Sequence, residues 1–284
     1  MKFLTRILIL GFALFTASAQ AATQSKYTMQ TQPTPPSSTV STRDADDDRW
    51  KFTIAPYLWA LSLNGSVQVR SVRAPVSESF SDIFDDLNWG AMVWLEANKG
   101  KWGAFFNTIY ASLSQGASDR YISAHANVNF TLLSAGLSYE LYKTCLCSGG
   151  CQYGGSTFAL VPYIGARYTS ANTSLTVNTP IGGGRRSDNQ HWTDPIVGAR
   201  FNFDLTKAWL LTFSGDVGGT NMSSDYSYNV IGLVGYKPQT MMKFTTWYLG
   251  YRLLDQKYTH GTSSNYFMWD MKLQGPMAGV AFTF

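Results

Sequence analysis

The last eighteen residues, Phe267 to Phe284, restrict this chain most. Counting back in twos from the end, Phe284, Phe282, Val280, Ala278 and Pro276 make one apolar face. Thr283, Ala281, Gly279 and Met277 make the other, with smaller or more adaptable side chains. That period of two belongs to a β-strand. In a soluble fold such a strand would leave a sticky rim unpaired. Closing a barrel removes the edge altogether. The ending therefore predicts a strand that closes a β-barrel.

The opposite end predicts export. Lys2 and Arg6 precede the apolar run Ile7 to Phe15, and small residues follow as far as Ala19-Gln-Ala21. These are the three regions of a secretory signal peptide. The run is shorter than the roughly 20 apolar residues of a membrane-spanning helix. Residues 1–21 are read as signal peptide, cleaved after Ala21 or alternatively Ala19. No Cys stands there to take a lipid anchor. Without Lys2 and Arg6, 20 of the 22 basic residues remain against 18 acids, a net charge of about +2. Neither that balance nor any basic run recruits nucleic acid. Aromatic residues make up 15% and charged residues 14%, against roughly 25% charged in ordinary soluble domains. An exported chain so rich in aromatics, with no mature segment long enough for a membrane helix, points to a transmembrane β-barrel over residues 50–284.

Residues 22–49 differ from the rest. Gln, Thr, Ser, Pro33, Pro35 and Pro36 dominate, followed by Asp44, Asp46, Asp47 and Asp48. Such a segment buries too little apolar surface to offset its ordering entropy, so it reads as a disordered periplasmic tail. The acidic run is either a solvated spacer or a site for a partner or cation.

From Trp50 onward the chain reads as strands and turns. Between Asp194 and Leu205, Pro195, Val197, Ala199, Phe201, Phe203 and Leu205 alternate with Asp194, Ile196, Gly198, Arg200, Asn202 and Asp204. In a membrane barrel the apolar set faces lipid and the polar set lines the lumen. Short connections fall at 98–101, 206–207 and 237–240, and long polar ones at 74–88, 114–120, 172–190, 218–225 and 258–266. Short turns belong in the periplasm and long loops outside. Working back from Phe284 gives strands near 267–284, 241–257, 226–237, 208–217, 190–205, 157–171, 121–142, 102–113 and 89–98. Reading Asn64-Gly65 as a hairpin turn gives eleven strands and a misplaced N-terminus. Reading 50–72 as one long strand, kinked or bulged at Gly65, gives ten. The expected fold is an all-β, antiparallel up-and-down transmembrane barrel of about ten strands, with eight or twelve as alternatives.

A repeat runs through three of these strands: Tyr163-Ile-Gly-Ala-Arg-Tyr168, Ile196-Val-Gly-Ala-Arg-Phe201 and Tyr248-Leu-Gly-Tyr-Arg-Leu253. Gly and Arg, two apart, share the inward face. Glu96, Asp194 and Asp216 fall on inward registers of their own strands. The expectation is a lumen charge layer in which these three acids meet Arg167, Arg200 and Arg252. It is either a selectivity or gating layer or a neutral network that packs the lumen shut.

The segments Ala55-Pro-Tyr-Leu-Trp59, Ser79-Phe-Ser-Asp-Ile-Phe84, Gly250-Tyr-Arg252 and Gly275-Pro276 resemble a family of proteobacterial outer-membrane β-barrel proteins, loosely related in architecture to OmpW-like and OmpA-like barrels. Gly279, Phe282 and Phe284 resemble the C-terminal assembly signal of such barrels. The resemblance implies insertion into the outer membrane of a Gram-negative bacterium, with outer-membrane lipid and the barrel-assembly machinery as partners. It brings no catalytic residue, no cofactor and no established cargo.

Cys145, Cys147 and Cys151 sit in a turn that strand parity places in the oxidising periplasm. One disulfide is expected, Cys151 with Cys145 or Cys147, leaving one thiol. The alternative, a thiolate clip for a soft metal, lacks a nearby fourth ligand. His125, His191 and His260 fall at the extracellular end, outside any metal or triad motif. Three functions follow: a narrow or closed small-solute channel, a structural or surface-interaction barrel presenting residues 74–88 and 172–190, and a lipid-active enzyme. The channel is the main expectation, and no catalysis is expected.

Overall fold

The structure, a computed structural model, describes residues 49–69, 72–118, 123–146, 156–179, 182–219, 223–240, 242–262 and 266–284. The signal peptide and residues 22–48 of the expected tail lie outside the described residues. The elements are β1 (Lys51–Trp59), β2 (Ser62–Val69), β3 (Val72–Glu78), α1 (Phe80–Asp85), β4 (Leu87–Lys99), β5 (Trp102–Ser118), β6 (Ser123–Tyr139), β7 (Tyr142–Cys145), β8 (Thr157–Thr179), β9 (Gly182–Asp204), β10 (Trp209–Gly218), β11 (Tyr226–Tyr236), β12 (Thr245–His260) and β13 (Phe267–Thr283).

All strand pairs are antiparallel, and β1 bonds to both β4 and β13, so the sheet closes on itself. The residues Met277 to Thr283 of β13 face β1, and Phe267 to Gln274 face β2. Counted as one stave, β1 and β2 complete a closed barrel of ten strands. β3 pairs with β2 off the ring, and β7 continues the β6 stave along the start of β8.

That first stave bends at Ala60 and Leu61 rather than at Gly65. The Leu61 N–H donates to the Trp59 carbonyl at 2.9 Å, and the Ala60 N–H to the Pro276 carbonyl at 2.9 Å. The register against β13 is unchanged across this break, with Trp59 opposite Met277 and Ser62 opposite Gln274, so no residue is inserted, and Trp59 and Leu61 are both buried. Gly65 keeps regular register opposite Met271, so Asn64-Gly65 is no turn.

Residues 172–190, expected as a loop, are paired strand instead: Asn172 faces Asn189, and pairing continues to Thr179 and Gly182. β8 and β9 run 23 residues each. The polar sequence there reflects water around the hairpin, not a want of backbone pairing. The same holds for 114–118 on 123–127. The 74–88 segment holds most of β3 and the helix α1, started by a capping box. Ser79 Oγ accepts from the Asp82 N–H at 3.3 Å, and Asp82 Oδ2 accepts from the Ser79 N–H at 3.0 Å. Those Ser79 bonds hold the Asp82 carboxyl below its usual range.

The outward face is apolar. Ile54, Leu58, Leu137, Ile164, Val197, Phe213, Val230 and Leu249 are exposed on it. Aromatic pairs mark its two edges: Trp102 with Tyr139 and Trp209 with Tyr236 near the short turns, Trp89 with Tyr110 and Tyr226 with Tyr228 at the far edge. On β13 the apolar outward run from Phe284 to Pro276 is followed by Gln274 and then Lys272, register partner of Asp255. Nine residues at roughly 3.3 Å each, tilted, match an apolar belt about 25 Å tall.

Candidate functional site

The lumen contains the candidate site, in three levels. Its middle level is the expected charge layer. Arg167 and Asp216 are 1% and 2% exposed, with Nη2 and Oδ1 2.7 Å apart. Arg167 Nη1 also donates to Ser227 Oγ at 3.0 Å. The other Asp216 oxygen accepts from the Tyr163 hydroxyl at 3.0 Å and from Asn229 Nδ2 at 2.8 Å. Side chains from β8 and β11 thus converge on the one carboxylate of β10, and its charge-assisted bonds are short, as such bonds are. Nearer the short turns, Arg200 Nη1 donates to both Glu96 oxygens, at 3.1 and 2.9 Å. Glu96 is fixed further by Trp94 Nε1 at 3.0 Å and Asn98 Nδ2 at 3.1 Å.

The third expected pair does not form. Arg252, 2% exposed, donates Nε to Asn229 Oδ1 at 2.9 Å and Nη1 to the Tyr57 hydroxyl at 3.4 Å. Its guanidinium lies 4.8 Å from the Trp59 ring centre, a cation–π contact. Asp194, the register partner of Arg167 across β8 and β9, meets no Arg among the described residues. Its Oδ1 accepts from the Ser224 backbone N–H at 2.9 Å, and its Oδ2 has no hydrogen-bond partner. Both acids neighbour Arg167, and the guanidinium goes to the one that Tyr163 and Asn229 already hold in place.

Around these charges is an aromatic stack that the sequence reading did not identify. Trp94 lies parallel to Phe105 at 5.3 Å, Tyr163 meets Phe105 edge-on at 5.4 Å, and Arg200 sits 5.1 Å above Trp94. Two glycines make room for it. A Cβ on Gly136 would stand 2.8 Å from the Phe105 ring, and one on Gly198 would stand 2.6 Å from Tyr163. The signal lay in the repeat itself, whose leading residues Tyr163, Ile196 and Tyr248 are two before Gly and therefore also point inward.

Toward the long hairpins, apolar side chains from seven strands cross the lumen. Trp59, Ile109, Leu132, Leu254 and Leu273 are its most buried members. Trp192 stacks on Tyr258 at 4.5 Å, and Ile83 of α1 packs against the cluster. Toward the short turns, a vestibule of about 180 Å³ reaches up to Arg200 and Arg252. Only a void of about 30 Å³ lies within the charge layer itself.

The remaining expected residues are dispersed. Cys145 is disulfide-bonded, and Cys147 and Cys151 lie outside the described residues. Among the described residues no three His, Cys, Asp or Glu side chains gather as a metal site. His260 is stacked against Tyr258 and His191 lies beside Tyr168; the His125 side chain is outside the described set. In the closing strand, Phe284 exchanges backbone hydrogen bonds with Phe52 at 3.0 and 2.9 Å. Phe282 and Phe284 flank Phe244 on the outside.

No family model and no curated protein matches the sequence. Among solved structures, the outer-membrane protease OmpT of Escherichia coli is similar, with a TM-score of 0.54 at 8% identity. The match covers 84% of this chain and 97% of that one. The attachment invasion locus protein Ail of Yersinia pestis matches at a TM-score of 0.32 and 10% identity, over 83% and 98% of the two chains. At these identities the likeness is one of fold, and of these two the OmpT match is close enough to support it. The fold is that of outer-membrane β-barrels.

Proposed function

We propose that the chain is an integral outer-membrane β-barrel, a narrow channel whose lumen is closed at rest. The observation that carries this is the Arg167–Asp216 pair, buried at 1% and 2% exposure beneath the apolar plug. A hydrated pore would screen its charges and leave them exposed. Here the pair is fully bonded within the protein, which favours the packed network over the selectivity filter. The apolar belt and its aromatic edges support membrane insertion. The signal-peptide pattern supports export, and Gly279, Phe282 and Phe284 support delivery by the barrel-assembly machinery. Kinship with OmpW-like and OmpA-like barrels belongs to the same reading. So does a non-enzymatic role.

A surface-interaction role is favoured by one observation, the 23-residue strands that carry β8 and β9 well past the belt. Planar-bilayer recording tests the closed lumen. The folded protein is expected to give no steady conductance; a current like that of a general porin overturns the reading.

A further inference from the structure

The vestibule below the charge layer has a charge left over. Of the ionised side chains lining it, Glu96 and Arg200 neutralise each other at 2.9 Å. Arg252 also lines it and has no carboxylate within ion-pair distance among the described residues. Its bonds are from Nε and Nη1 to neutral groups, and Nη2 has no hydrogen-bond partner among them. A guanidinium at 2% exposure with an unused donor is an incomplete site, because buried charges are ordinarily paired.

We propose that Arg252 anchors a small organic carboxylate in this vestibule, entering from the end that carries the short turns. Arg matches a carboxylate in geometry as well as in charge. The Tyr57 hydroxyl, which donates to Asn107 Oδ1 at 2.8 Å and accepts from Arg252 Nη1, holds the guanidinium in place. Trp94, Ile231, Leu233 and Met277 give the cavity an apolar wall for the body of the ligand. The volume of about 180 Å³ sets the size, since a cavity of roughly 150 Å³ holds a benzene ring. An aromatic or short branched monocarboxylate fits; a sugar acid would leave its hydroxyls against the apolar wall. The site rests on the barrel fold and its lumen, and does not require that the lumen be closed to ions.

Benzoate is the probe, titrated into the refolded full-length barrel in detergent and followed by calorimetry and by tryptophan fluorescence, since Trp59 lies against Arg252. The expected result is saturable binding of one benzoate per chain, with benzamide at least tenfold weaker. Arg252→Gln is expected to weaken benzoate binding at least tenfold while heat-modifiable gel migration reports a folded barrel. If that variant does not fold, Leu233→Trp fills the vestibule and leaves Arg252 in place, and is expected to abolish binding. Equal binding of benzamide, no saturable binding by the native protein, or unchanged affinity in a folded variant each overturn the proposal.

Discussion

At the scale of residues, the two ion pairs differ in how far they leave water, and so in what they contribute. Arg167 and Asp216 are 1% and 2% exposed, whereas Arg200 and Glu96 are 16% and 14% exposed. Breaking a buried pair strands a charge and costs about 3–5 kcal/mol, while removing both partners costs less. A double-mutant cycle of Arg167→Met and Asp216→Leu is therefore expected to show strong coupling, larger than that for Arg200 with Glu96. Urea unfolding in lipid vesicles measures it; coupling near zero would mean a hydrated layer. Asp194 provides the control. It bonds one backbone N–H and no Arg, so Asp194→Asn keeps its one bond and removes an unpaired buried charge. It is expected to cost clearly less than Asp216→Asn.

At the scale of elements, β13 depends on its last residue. Phe284 makes two backbone hydrogen bonds to Phe52, and these lock the closing seam beyond the last strand residue, Thr283. Removing Phe284 loses both bonds and an outward ring, and Phe282→Asp places a charge against lipid beside Phe244. Both changes are expected to reduce membrane yield and heat-modifiable migration, and unchanged behaviour would deny β13 its closing role. The inward and outward registers of β13, β9 and β4 were legible in the sequence because side chains alternate strictly along a strand. The bend at Ala60 and Leu61 was not. Gly65 is the conventional site for an irregularity, while the actual one is set by Trp59, whose indole donates to the Gly275 carbonyl at 3.2 Å across the seam. The length of β8 and β9 was hidden for another reason: outside the membrane a hairpin has no apolar face to advertise it.

At the scale of the whole molecule, period-two patterns say which residues enter the lumen but not which meet there. Arg200 and Glu96 are 104 positions apart, and Arg252 and Tyr57 are 195 apart. Contacts across a barrel depend on its shear, the accumulated register offset around the ring, and alternation does not encode that. Hence the inward positions of these Arg and acid residues were legible, while only Arg167–Asp216 and Arg200–Glu96 pair among the described residues and Tyr57, Tyr163 and Asn229 were missed. The same ring fixes which end faces outward, and this can be tested directly. The start of β1, the finish of β13, the turn containing Gln239 and the Cys145 segment share one end of the barrel; α1, with exposed Ser81, occupies the other. Short turns face the periplasm. In intact cells an impermeant maleimide is expected to label Ser81→Cys and to miss both Gln239→Cys and the native thiol, since a closed lumen gives the reagent no passage. After lysis all three should react, with one free thiol in the native chain and Cys145 protected by its disulfide until reduction. Labelling of Gln239→Cys from outside would reverse the barrel in the membrane, and would turn the Arg252 vestibule toward the medium instead of the periplasm.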